Sequence, residues 1–124
     1  MNEVYNVSWE EVERGVRSIA KYVQGLEKND LVKFRGIWGP PRGGWPIAVM
    51  LSHLTGIKVV KDPRVRPLLI IDDIADTGKT LQSYSVMDEV YITTLYFHAQ
   101  SSFVPNKWVY RKTDKWIRYP WELS

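Results

Sequence analysis

The chain has 124 residues, enough for one domain with a real core and too few for two. Its 44% hydrophobic and 25% charged content are those of a soluble globular protein; no apolar run approaches a membrane span, and the amino terminus is unlike a secretory signal. The absence of cysteine excludes disulfides and thiolate metal sites, and a net charge of +3 spread along the chain suits phosphorylated substrates without pointing to nucleic acid. These features together lead to the expectation of a cytoplasmic protein with no membrane partner.

Ser8 and Glu11 make a capping box, and Trp9, Val12, Val16, Ile19, Ala20, Val23 and Leu26 recur at helical spacing. An amphipathic helix is therefore predicted over residues 8–26, ending near Gly25 or Asn29. Residues 31–38 read as a strand, and GPPRGGWP (39–46) is a turn that no regular element contains. A buried helix over 47–54 is closed by Gly56; a short strand at 57–60 and the loop KDPRVRP (61–67) follow. Residues 68–71 are a continuous apolar run between Pro67 and turn residues, the signature of a strand buried on both faces of a parallel sheet. Then come a short helix (80–87), another apolar strand (90–97) and extended segments at 108–110 and 116–118. The alternation predicts an α/β protein with an open parallel sheet and helices on both faces.

The run LLIIDDIADTGKT (68–80) carries the most chemistry. Asp72 and Asp73 fall at the carboxyl end of the central strand, where open α/β sheets hold their ligands. The chain then turns through Gly78, and successive backbone N–H groups with the Thr77 and Thr80 hydroxyls suit a phosphate dianion. Paired aspartates alone also occur as a solvated turn, and Gly-Lys-Thr alone as a helix cap. A nucleotide-binding P-loop is excluded, because its first glycine, five residues before Gly78, is here Asp73. A phospho-acceptor site would not need the Thr-Gly-Lys-Thr turn. Upstream, Gly39 to Gly44 forms a rigid turn whose prolines fix the entry, whose glycines allow close backbone approach, and whose Arg42 offers a fork of donors. In isolation, a strand-to-helix connection with a solvated arginine fits these residues as well.

As a whole, residues 68–80 resemble the phosphoribosyl-diphosphate (PRPP) motif of type I phosphoribosyltransferases, and Pro41-Arg42-Gly43-Gly44 resembles their pyrophosphate loop. The ending Trp116-Ile117-Arg118-Tyr119-Pro120-Trp121-Glu122 is similar to that of bacterial and archaeal xanthine, guanine and hypoxanthine phosphoribosyltransferases. The resemblance extends from about Trp9 to Glu122 and is to a minimal form of these enzymes. It implies a single domain over 1–124 with the type I fold, the short extended tail serving as a reduced hood. It implies transfer of a 5-phosphoribosyl group from PRPP to a purine base, a 6-oxopurine such as guanine, xanthine or hypoxanthine, with release of pyrophosphate. By the same resemblance Asp72 and Asp73 hold the ribose hydroxyls, directly or through Mg²⁺. Ala75, Asp76, Thr77, Gly78, Lys79 and Thr80 wrap the 5′-phosphate, and Asp76 is the acid/base group near the purine N7. Arg42 and Gly43 meet the pyrophosphate, Arg42 assisting catalysis, and the Pro41–Arg42 peptide is cis. Trp116 stacks on the base, Ile117 offers its carbonyl and Glu122 lies near the purine 2-position; a homodimer is implied.

Two positions depart from the family pattern. Purine-specific members carry a lysine just after the strand ending at Phe97, and this chain has His98, which when neutral donates one hydrogen bond to a 6-oxo group. The segment 61–67 is also too short for the flexible lid usual there. The second departure keeps an alternative open: a PRPP- or nucleotide-binding regulatory module without efficient catalysis.

Overall fold

In the computed structural model, which describes residues 3–123, the apolar run at 68–71 opens an inner strand of a parallel sheet. The elements are β1 (Val4–Asn6), α1 (Trp9–Lys28), β2 (Gly36–Trp38), α2 (Gly44–Thr55), β3 (Leu68–Ala75), α3 (Lys79–Ser85), β4 (Val90–Phe97), β5 (Lys107–Arg111) and β6 (Trp116–Arg118). Strands β2-β3-β4-β5 form a four-stranded sheet in that order, every pair parallel, with Ile70 in register between Trp38 and Ile92. Successive β3 side chains point to opposite faces, so one strand serves two cores. Leu69 and Ile71 pack with α1 and α2 residues such as Ile19, Ile47 and Leu51. Leu68 and Ile70 pack with Leu81 of α3 and with Ile92. The helices therefore cover both faces, as the alternation implied.

Helix α1 forms as its pattern predicts. The Ser8 hydroxyl accepts from the Glu11 N–H at 3.0 Å, and Asn29 closes the last turn by donating to the Gly25 carbonyl. Val12, Val16, Ile19 and Val23 are fully buried along one stripe, each contributing about 1.5–3 kcal/mol of apolar burial. Helix α2 begins at Gly44, three residues earlier than expected, and ends where Gly56 takes φ 77°. Helix α3 is Lys79–Ser85, shifted by a residue or two from 80–87.

Three expectations need correction. The strand over 31–38 is reduced to Gly36–Trp38, because upstream backbone groups bond elsewhere: Phe34 N–H to the Glu27 carboxylate and Arg35 N–H to the Pro67 carbonyl. Residues 57–60 make one bridge, Ile37 to Val59, and no strand. β3 runs on to Ala75, since β4 offers a partner up to Phe97, and Asp72 and Asp73 thus lie within the strand. Strand β1 was not foreseen; it pairs in parallel with β6 as a separate two-stranded sheet.

The connections explain where a ligand can sit. After β2, the chain passes over one face through α2 to reach Val59 outside β2. Residues 61–67 then recross the other face, with Val65 packed against the cluster of Leu68, Ile70, Leu81 and Ile92. Right-handed crossovers dictate these sides. The connections leaving β2 and β3 diverge to opposite faces, which opens a crevice between their carboxyl ends. Among the described residues, no helix is long and apolar enough to cross a membrane.

Candidate active site

Because the sheet is parallel, all its carboxyl ends lie on one rim. Along it stand the 39–43 turn after β2, the end of β3 with the 75–78 turn, His98 after β4 and Lys112 after β5. The Pro41–Arg42 peptide is cis. Gly43 is pressed against the neighbouring strand: a Cβ there would collide with the Asp73 carboxylate. Arg42, Gly43, Asp73, Trp121, Glu122 and Leu123 line a cleft of about 510 Å³. A second cleft of about 240 Å³ is formed by residues 72–78 with Thr80 and Leu81. Asp73 belongs to both and so joins the Arg42 side to the turn through Gly78.

The conformation of that turn is set by Gly78. Gly78 takes φ 81°, a conformation costly for residues with a Cβ, and a side chain there would also strike Ser101 and Ser102. The Thr77 hydroxyl accepts from the Lys79 N–H at 3.3 Å, and Thr77, Lys79 and Thr80 face solvent, while Ala75 is buried beneath them.

Asp72 and Asp73 are half-buried and have no ion-pair partner among the described residues. Each accepts the N–H of the following residue, Asp73 N to Asp72 Oδ1 at 2.9 Å and Ile74 N to Asp73 Oδ1 at 2.8 Å. Burial, then the adjacent Asp73 charge, pushes the Asp72 carboxyl up to about 8; burial raises Asp73 as well. Two crowded, uncompensated carboxylates are a fit for a cation. Two carboxylates without a cationic partner are compatible with Mg²⁺, which takes one or two carboxylates and completes its shell with water and phosphate oxygens; among the described residues no group of three or more metal-ligating side chains converges.

Farther along the rim, Asp76 meets two residues. Its Oδ1 lies 2.9 Å from His98 Nδ1, and both its oxygens lie 3.2 Å from Lys112 Nζ. Lys112 was not anticipated from the sequence. It sits in a charged stretch, Arg111-Lys112-Thr113-Asp114-Lys115, whose spacing has no period; only the β4–β5 register brings it to Asp76.

The tail folds back over the rim. Trp116 N–H donates to the Glu3 carbonyl and Val7 N–H to the Arg118 carbonyl, so the backbone groups of Ile117 turn to the opposite, open edge of β6. The Trp116 ring is 59% exposed and lines neither cleft. Glu122 lies in the Arg42 cleft, where one of its oxygens accepts the Tyr119 N–H at 3.3 Å. Trp121, to which the sequence reading gave no role, lines that cleft and stacks on Tyr119 at 4.9 Å with the rings nearly parallel. The Tyr119 hydroxyl is buried without a partner among the described residues, and burial with the nearby Asp73 charge raises its phenol far above the usual range. Segment 61–67 packs against the core cluster through Val65, and the Arg66 guanidinium reaches Met87 Sδ at 3.5 Å; its bonds to the Pro63 and Val65 carbonyls, at 2.6 and 2.8 Å, stay within the segment.

No protein-family model matches the chain. Over 97% of its length it is 24% identical to the xanthine-guanine phosphoribosyltransferase of Cereibacter sphaeroides, with 87% of that protein covered. The solved purine phosphoribosyltransferase of Pyrococcus horikoshii Ot3 superposes with a TM-score of 0.79 at 28% identity, covering 98% of this chain and 95% of that one. The Helicobacter pylori xanthine-guanine-hypoxanthine phosphoribosyltransferase superposes at 0.78 with 15% identity and the same 98% and 95% coverage. The chain has the type I phosphoribosyltransferase fold, and these three proteins, matched over nearly its whole length, are purine phosphoribosyltransferases.

Proposed function

We propose that this chain transfers the 5-phosphoribosyl group of PRPP to a 6-oxopurine, releasing pyrophosphate and forming a nucleoside monophosphate. The observation that carries the reading is the shared position of Asp73. Asp73 lines both the cleft that includes Arg42 and the cleft formed by the turn through Gly78, which supports reading it as the carboxylate at the ribose. PRPP has that order of groups, with pyrophosphate on one side of the ribose and 5′-phosphate on the other.

The residues then have separable tasks. The 75–80 turn holds the 5′-phosphate and fixes the sugar. Asp72 and Asp73 face the ribose hydroxyls and would hold Mg²⁺, which supplies charge neutralisation of the pyrophosphate. As the C1–oxygen bond breaks, its electron pair leaves with pyrophosphate, and the Arg42 guanidinium and nearby backbone N–H groups stabilise that charge. The developing positive charge on the ribose is stabilised by the carboxylates beneath it. The purine nitrogen attacks C1 from the side of β6, where Ile117 offers its carbonyl, Trp116 an aromatic face and Glu122 a carboxylate. Asp76 takes the proton that the base sheds. Positioning of the two partners supplies a further share of the rate.

A pyrophosphate-release assay with PRPP, Mg²⁺ and guanine, xanthine, hypoxanthine, adenine, uracil and orotate tests the proposal. Release with at least one 6-oxopurine is expected, and Asp76→Asn should lower kcat by about 10²–10⁴-fold while PRPP affinity stays within a few-fold. PRPP binding with no release for any base would favour the second reading, a non-catalytic PRPP- or nucleotide-binding regulator. One observation supports that reading: the 61–67 segment is short and packs through Val65 against the core cluster.

A further inference from the structure

We infer that Lys112 is the residue that selects a 6-oxo over a 6-amino purine, and that His98 instead positions Asp76. The inference rests on the transfer reading above and deepens it at the base end of the site. Asp76, His98 and Lys112 each follow directly on the end of one of three adjacent parallel strands. The sheet pattern carries one step past those ends, with His98 N–H donating to the Ala75 carbonyl at 3.0 Å and Lys112 N–H to the Phe97 carbonyl at 2.9 Å. The origins of the three side chains are thus fixed by the sheet and not by a loop.

Their contacts divide the work. His98 Nδ1 is occupied by Asp76 Oδ1, and its side chain is 20% exposed. Lys112 reaches both Asp76 oxygens with its side chain only 13% exposed, whereas Asp76 itself is 40% exposed. An ammonium has three N–H donors; two are directed at the carboxylate, and one is left for a ligand. The rim therefore presents a charged donor and a charged acceptor side by side. A 6-oxopurine protonated at N7 displays the complementary pair, an N–H for Asp76 and a C=O for Lys112. Adenine turns a 6-amino group toward Lys112, and an ammonium has no lone pair with which to accept from it. The Lys112 ammonium, only 13% exposed, is then left facing a second donor, a strong basis for rejection. Lys112 also walls a neighbouring cavity of about 360 Å³ that includes Ile117, the residue whose backbone faces the open edge of β6.

Calorimetric titration with inosine and adenosine 5′-monophosphates, in which N7 carries no proton, reads the Lys112 contact to the 6-substituent without Mg²⁺ and independently of turnover, and PRPP is titrated alongside. Wild type should bind the inosine nucleotide at least ~10²-fold more tightly. Lys112→Gln, whose amide can donate or accept, should bring the ratio to within about tenfold, with PRPP affinity and melting temperature held. His98→Ala should leave the ratio intact while lowering turnover, and Lys112→Arg should restore the discrimination lost in the glutamine variant. A ratio kept by Lys112→Gln, or lost in His98→Ala alone, would overturn the assignment. Failure of the wild type to bind PRPP would instead count against the transfer reading.

Discussion

At Gly43 a single hydrogen atom decides whether the 39–43 turn can lie against β3. The Asp73 carboxylate occupies the space a Cβ would need, so Gly43→Ala must move either the turn or the carboxylate. Because a displacement of about 1 Å in a catalytic constellation can cost ~10²-fold, this variant should lose on that order in kcat/KM for PRPP. The melting temperature should change little, the turn being at the surface. Unchanged kinetics would mean that the Arg42 side of the cleft is not used. Asp72 gives a second prediction. Its carboxyl is raised from 3.8 to about 8, so the folded ligand-free chain keeps a proton that the unfolded chain releases. The stability linked to this proton is complete below the unfolded value and is lost as pH rises toward 8. Thermal melts of the wild type should therefore fall more steeply between about pH 5 and 8 than those of Asp72→Asn. Parallel curves for the two proteins would contradict the assignment of the proton to this pair.

Among the elements, those with a local cause were legible in the sequence. Helix α1 follows from the Ser8 cap and an apolar stripe, β4 from a run of β-branched and aromatic residues, and the 75–80 turn from Gly78 and the hydroxyls around it. What the sequence could not reveal depends on partners distant in the chain. The extension of β3 through the aspartates needs β4 beside it, and the shortening of 31–38 reflects hydrogen bonds made to Glu27 and Pro67. Lys112 stands among other charges and acquires its place only through the β5 register. The 61–67 segment is legible as short, but its function as a packed crossover is visible only in the fold. Val65 joins the core cluster beneath α3, so Val65→Asp should cost about 1–3 kcal/mol, seen as a lower urea midpoint. A segment that acted as a mobile lid would show the reverse, an unchanged midpoint and slower turnover.

For the molecule as a whole, the topology brings three distant stretches of chain to one rim. The opposed connections after β2 and β3 open the crevice, the parallel sheet aligns Asp76, His98 and Lys112 along it, and the β1–β6 pair returns the tail so that Glu122 shares a cleft with Arg42. On the proposed reading, the sugar end was legible as a contiguous motif, and His98, Trp116, Ile117 and Glu122 of the base end were named through the resemblance. Lys112 is recognisable only once β4 and β5 are in register. The central claim is that both ends act on one substrate pair. The direct test is to incubate the wild-type chain with ribose-labelled PRPP, Mg²⁺ and hypoxanthine or guanine and to quantify the products by mass. Labelled nucleoside monophosphate and pyrophosphate are expected in equal amounts; PRPP that binds but yields no labelled nucleotide with either base would overturn the transfer reading.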